Sequence, residues 1–185
     1  RLFFAQHGAF PTTSTLDNFN RANENPIGGN WTNDIFGGDG NIELNTNQIK
    51  GASAAWCSAY WNAATFGPDS EAYIDMPTEG TGSGTEIACR IIEPDTANVD
   101  NYFTHYTPGT TTFQLWRTVN TTQTQLGATA VQAMADGDSF GIEAIGTTIQ
   151  GYYKASAGSW GSVLSRTDSN VTGAGRVGIV INNTS

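Results

Sequence analysis

The sequence predicts an all-β protein, a single antiparallel β-sandwich of jelly-roll type. Three observations point there. Period-two alternation of apolar and polar residues runs through most of the 185 residues. Turn pairs built on Gly, Pro, Asn and Asp recur about every ten residues. Runs of helix-forming Lys, Glu and Ala are missing, while 9 Phe, 6 Tyr and 5 Trp supply apolar bulk.

The clearest stretch is Gly137–Lys154, which opens on the turn dipeptide Asp136-Gly137. Phe140, Ile142 and Ala144 alternate with Gly141, Glu143 and Ile145. After a break at Gly146-Thr147, Ile149, Gly151 and Tyr153 alternate with Gln150, Tyr152 and Lys154. This pattern predicts two antiparallel strands of a hairpin, each burying one face.

The other elements follow in order. Residues 1–14 are an apolar arm and linker: RLFFAQHGAF leads into a Pro-Thr-Thr-Ser-Thr run. An arm so rich in Leu and Phe cannot wave freely in water. Leu2, Phe3, Phe4 and Phe10 are its docking side chains, either on its own domain or on a neighbouring subunit as an added strand. A first residue other than Met marks a processed form or an incomplete chain.

Residues 15–185 form one sandwich domain. A turn-rich loop at Asn23–Gly29 delivers Trp31, and Asn41–Leu44 with Asn47–Ala52 forms a short hairpin. Strands are predicted at Ala54–Trp61, Glu71–Met76 and Thr85–Ile92, the last with Ile87, Cys89 and Ile91 on one face. Pro108-Gly109 separates strands Tyr102–Thr107 and Thr111–Val119. Thr122–Leu126, Ser139–Ile145, Thr147–Lys154, Ser162–Arg166 and Arg176–Asn182 complete the set. Val131–Ala135 is the one plausible helical turn. No second domain and no repeat of 20–50 residues is visible.

Composition excludes several functions. A net charge of −9 with scattered Lys and Arg argues against nucleic-acid binding. No apolar run approaches about 18 residues, so no membrane span is predicted. Cys57 and Cys89 fall in separate strands and either pair across a sheet or stay as buried thiols. Without a CxxC or a Cys/His cluster, no metal site is predicted.

Four segments resemble the concanavalin A-like lectin/glucanase superfamily in its laminin-G-like jelly-roll branch. They are D-x-F-N-R-A…G-G-N-W from Asp17 to Trp31, G-D-x-F at Gly137–Phe140, I-G-T-T-I-x-G-Y at Ile145–Tyr152, and T-D-S…G-x-G-R-V-G-I from Thr167 to Ile179. They span nearly the whole chain, but they mark turns and core positions and carry no chemistry. The superfamily includes lectins, glucanases, alginate lyases, carbohydrate-binding modules and virion proteins, so the resemblance implies a fold and leaves the function open. It also allows one structural calcium ion, with Asp17, Asp34, Asp39 and Asp168 as oxygen donors near turns, although no EF-hand-like loop is present.

Catalytic signals are weak. Glucanases of this fold place two carboxylates on one strand face. Here Glu71 and Asp75 share a face but stand roughly 13 Å apart along the strand, too far for a retaining pair. The alginate-lyase pattern is matched only by Tyr153-Lys154-Ala155, with no Gln-x-His and a single Arg90 in Thr85–Ile92. His105, beside Tyr106, could serve as a base but reads as a half-buried strand residue. The chain is therefore expected to be non-enzymatic.

Binding signals are better. Gln114 and Trp116 share the face opposite the core on one strand, and Gln150 and Tyr152 do so on another. With Arg90 and Glu143 these residues are expected to form one polar-aromatic glycan-binding patch. With the arm, this suits an outward-facing structural or attachment subunit of a virus particle or other extracellular assembly. Its partners would be other subunits, as a homo-oligomer, and surface glycans. A free secreted lectin or carbohydrate-binding module is the alternative, and a polysaccharide-degrading enzyme the third reading.

Overall fold

A computed structural model describes residues 9–182. In it the chain folds into fourteen described strands: β1 (Trp31–Asn33), β2 (Ile42–Asn45), β3 (Gln48–Gly51), β4 (Trp56–Trp61), β5 (Ser70–Asp75), β6 (Gly84–Ile92), β7 (Asp100–Tyr106), β8 (Thr112–Val119), β9 (Thr122–Gln125), β10 (Ala130–Val131), β11 (Ser139–Ile145), β12 (Thr148–Lys154), β13 (Gly161–Thr167) and β14 (Arg176–Asn182). All pairings between these strands are antiparallel. Among the described residues no helix is long and apolar enough to cross a membrane.

Two sheets make the sandwich. The larger runs β1-β4-β14-β6-β7-β8-β10, with β9 hydrogen-bonded to β8. The smaller runs β13-β12-β11-β5, and the hairpin β2-β3 forms a separate two-stranded sheet. The β2-β3 turn is tight because Thr46 and Asn47 both take positive φ (50° and 63°), the backbone that matches strand twist in a two-residue hairpin.

The alternation read from the sequence sets the core. Phe140, Ile142, Ala144 and Ile149 point inward from the small sheet to meet Ile87, Cys89, Tyr102, Phe113, Leu115 and Ile179 from the large one. Phe113 and Phe140 meet edge to face, their centroids 6.2 Å apart. Both are fully buried, and each such side chain contributes about 1.5–3 kcal/mol by leaving water. The β2-β3 hairpin lays Ile42 against Cys57 and Ala59 of β4. A third cluster sits on the outer face of the large sheet, where Ile35 and Phe36 cover Ala88, Ile91, Phe103 and Val180.

Two expectations fail for local reasons. Ile91 does not share the face of Ile87 and Cys89. Arg90 adopts positive φ (50°) and the β6-β7 register shifts between Cys89 and Ile92, so a bulge turns Ile91 to the outer face. Val131–Ala135 is not a helical turn: Ala130 and Val131 pair with Phe113 and Thr112, and the chain then runs on without helix. Backbone pairing to an open sheet edge outweighs the weak helical preference of so short a run.

Cys57 and Cys89 are free thiols, both buried. They lie in different core clusters.

Candidate functional site

The outer face of the small sheet carries the most developed site. Register stacks its residues in rows. Glu71 of β5 faces Glu143 of β11, which faces Gln150 of β12. In the next row Tyr73 faces Gly141, which faces Tyr152. Directly opposed side chains sit about 4.5–5.5 Å apart at Cβ, so the first row forms a continuous strip, while Gly141 leaves a gap in the second.

Three of these side chains form a closed hydrogen-bond triangle. The Tyr152 hydroxyl donates to Glu143 Oε2 at 3.0 Å. Gln150 Nε2 donates to the same oxygen at 3.3 Å and to the Tyr152 hydroxyl at 3.0 Å. Glu143 is only 6% exposed. Burial, the bond to Glu143 and the charges of Glu143 and Glu71 push the Tyr152 phenol well above its usual range, so it stays a donor.

Trp160, in the loop before β13, walls this strip, with the Lys154 ammonium 5.7 Å from its ring. Trp160, Glu143, Gln150 and Tyr152, together with Phe10, Ile145 and Thr148, line a hollow of about 380 Å3. Its mix of aromatic surface with a few convergent polar groups is that of a small-ligand site.

Phe10 occupies part of this strip. Its ring stacks on Tyr152 with centroids 4.0 Å apart and planes 5° from parallel. Trp160 and Tyr73 meet it edge-on, at 4.9 and 6.3 Å. The chain then crosses to Glu71, whose Oε1 accepts from the amides of Thr12 and Thr13 at 2.7 and 2.6 Å and from both their hydroxyls. The described end of the arm thus packs on its own domain; Leu2, Phe3 and Phe4 lie outside the described residues.

The six residues expected to form one glycan patch fall in three places. Gln150, Tyr152 and Glu143 come together as described. Gln114 and Trp116 lie on the outer face of the large sheet, on the opposite side of the sandwich. There the Trp116 indole donates to Gln114 Oε1 at 3.0 Å and stacks on Phe103. Arg90 reaches neither face. It is 1% exposed, and its guanidinium donates to the carbonyls of Pro68, Val171 and Gly146, pinning three loops at one end of the sandwich. Alternation says whether a residue points inward or outward, but it does not say to which sheet its strand belongs.

Trp160 and Tyr73 were missed. Trp160 sits in a Gly- and Ser-rich loop with no periodicity, and the β12-β13 register shifts at Gly151/Tyr152, which hides its alignment with Tyr152. Glu71 has Glu143 across the sheet as its neighbouring acid, a pairing that along-strand spacing could not reveal.

His105 is a mostly buried strand residue on the large sheet's outer face. Its Nδ1 lies 2.9 Å from Glu86 Oε1 and its Nε2 3.0 Å from Thr107 Oγ1. Burial raises the Glu86 carboxyl above its usual range, with the bond to His105 opposing.

The four aspartates considered for calcium have protein partners. Asp17 accepts from Arg21 and Trp31, Asp34 from the amides of Gly37 and Gly38, Asp39 from Ser58, and Asp168 from Tyr102 and Asn170. Among the described residues no three His, Cys, Asp or Glu side chains gather as a metal site.

No family model matches the chain, and no curated protein matches it in sequence. Solved structures do. The carbohydrate binding module CBM66 from Bacillus subtilis is similar with a TM-score of 0.63 at 15% identity, covering 82% of this chain and 87% of its own. A prokaryotic β-1,3-1,4-glucanase (lichenase) from a mouse hindgut metagenome gives 0.60 at 12%, covering 89% and 83%. The Ca2+-bound exoplasmic/lumenal domain of VIP36 gives 0.59 at 11%, covering 83% and 76%. With its two antiparallel sheets, the chain has the concanavalin A-like lectin/glucanase jelly-roll fold.

Proposed function

We propose that the chain is a non-catalytic carbohydrate-binding module, an attachment domain presented outward by a virus particle or other extracellular assembly. The observation that carries the binding reading is the strip Glu143–Gln150–Tyr152 walled by Trp160, in a hollow of about 380 Å3. An aromatic platform takes the apolar face of a sugar ring, while a buried carboxylate and an amide take its hydroxyls. The likeness to a carbohydrate-binding module and to VIP36 supports a fold suited to this task. The attachment role is supported by the acidic, Gly-, Thr- and Asn-rich composition and by the apolar leading peptide.

A glycan array, with the Trp160→Ala chain as control, tests the binding reading. Binding by the unaltered chain that falls at least tenfold in the variant supports it, a change of about 1.4 kcal/mol. Binding untouched by Trp160→Ala places the sugar elsewhere and overturns this assignment.

One observation favours a second reading, a glycosidase. Glu71 and Glu143 oppose each other across β5 and β11, which sets their Cβ atoms about 4.5–5.5 Å apart, and retaining glycosidases hold two carboxyl groups about 5–5.5 Å apart. Against it, Glu143 Oε2 is held by Tyr152 and Gln150, and Glu71 Oε1 by Thr12 and Thr13. Release of reducing sugar from a β-glucan, lost in Glu143→Gln, would establish the second reading.

A further inference from the structure

We infer that the segment Ala9–Thr13 is a built-in competitor for the carbohydrate site, with Phe10 held where a sugar ring would stack. The inference rests on the carbohydrate-binding reading and adds its regulation: the Tyr152 face of the site is open to ligand only when the segment lifts.

The placement of Phe10 is the first support. A ring 4.0 Å from Tyr152 and parallel to it within 5° covers the platform face that a flat apolar sugar face would use. Phe10 is 6% exposed, yet it belongs to none of the three core clusters. It is buried on the polar outer face, beside Glu143 and Gln150.

The sheet leaves room for it. Gly141 lies between Tyr73 and Tyr152, and a Cβ there would come within 2.7 Å of the Phe10 ring. The missing side chain makes a socket of ring size between two tyrosines, with Trp160 as its third wall.

The segment is tethered by bonds that can be exchanged for water. Thr12 and Thr13 are exposed, and both hold the one oxygen, Glu71 Oε1. Hydrogen bonds are worth about 0.5–1.5 kcal/mol each and up to about 3 kcal/mol to a charged group. These lie at the exposed surface where water can replace them, so such a strap opens more easily than the core does. A site that is free only a fraction of the time shows an affinity reduced by that fraction.

The test compares the unaltered chain with Phe10→Ala and Glu71→Ala. A glycan array containing mannose oligosaccharides and β-1,3-1,4-glucan oligosaccharides is followed by calorimetry on the tightest binder. Phe10→Ala is expected to bind at least tenfold more tightly, Glu71→Ala to bind more tightly by a smaller factor, and Trp160→Ala added to Phe10→Ala to erase the gain. Equal affinity of the unaltered chain and Phe10→Ala overturns the competitor while leaving the carbohydrate site standing. An array silent for the unaltered chain and both variants overturns the carbohydrate reading, and the competitor with it. Unfolding of Phe10→Ala, seen as loss of its melting transition, would assign Phe10 to the core and also overturn the inference.

Discussion

The Tyr152 hydroxyl donates to Glu143 Oε2 at 3.0 Å, from neighbouring strands on the outer face of the small sheet. Burial, that bond and the nearby negative charges hold the phenol protonated beyond the ordinary tyrosine range. Glu143→Gln removes most of the charge effect. In an ultraviolet titration of tyrosinate, one tyrosine should ionise at clearly lower pH in the variant than in the unaltered chain. Identical titration curves would mean that the Tyr152 hydroxyl does not feel Glu143.

Arg90 predicts a stability loss without a binding loss. Its buried guanidinium satisfies three carbonyls, from Pro68, Val171 and Gly146. Arg90→Met fits the space but orphans those carbonyls, costing about 3 kcal/mol or more. Chemical denaturation should show that loss, while glycan affinity of the folded fraction stays within about twofold of the unaltered value. A neutral Arg90→Met would show that water replaces the guanidinium.

Asp168 predicts a pH dependence of one sign. Burial works to raise its carboxyl, but bonds from the Tyr102 hydroxyl at 2.6 Å, from Asn170 and from Arg117 outweigh burial and hold it below the usual range. A lowered carboxyl stabilises the fold above the unfolded value of about 3.9 and loses that contribution as pH falls through the folded value. Asp168→Asn should be about 1–3 kcal/mol less stable at neutral pH, and the gap should close below about pH 4.

Glu86 predicts the opposite trend. Its carboxyl is raised, chiefly by burial. Its contribution is fully present below the unfolded value of about 4.3 and is lost as pH rises through the raised folded value. Relative to the unaltered chain, Glu86→Gln should therefore gain stability with rising pH. Parallel stability curves for the two proteins from pH 4 to 8 would contradict this.

The strand pattern was legible wherever the pleat was regular. Phe140 to Ala144 and Ile149 to Tyr153 showed in the sequence the faces they take in the fold. Bulges broke that legibility. One positive-φ residue, Arg90, reversed the face of Ile91, and nothing in the composition of Thr85–Ile92 announces it. The site was half legible for a related reason. Glu143, Gln150 and Tyr152 are neighbours through one hairpin, so local spacing brings them together. Keeping Trp116 apart from them would have required knowing that β8 and β12 lie in different sheets. Phe10 was singled out for its apolarity, but its seat over Gly141 depends on a gap between strands far apart in the chain.

The two cysteines carry a consequence for how such a domain holds together. Cys57 and Cys89 are unpaired and sealed from solvent, and burial pushes the Cys89 thiol up to about 12, far from its reactive thiolate form. No crosslink has to form for the chain to fold, and none can be lost to a reductant. The sandwich therefore holds without a covalent brace between its strands, and a reductant finds no bond there to break.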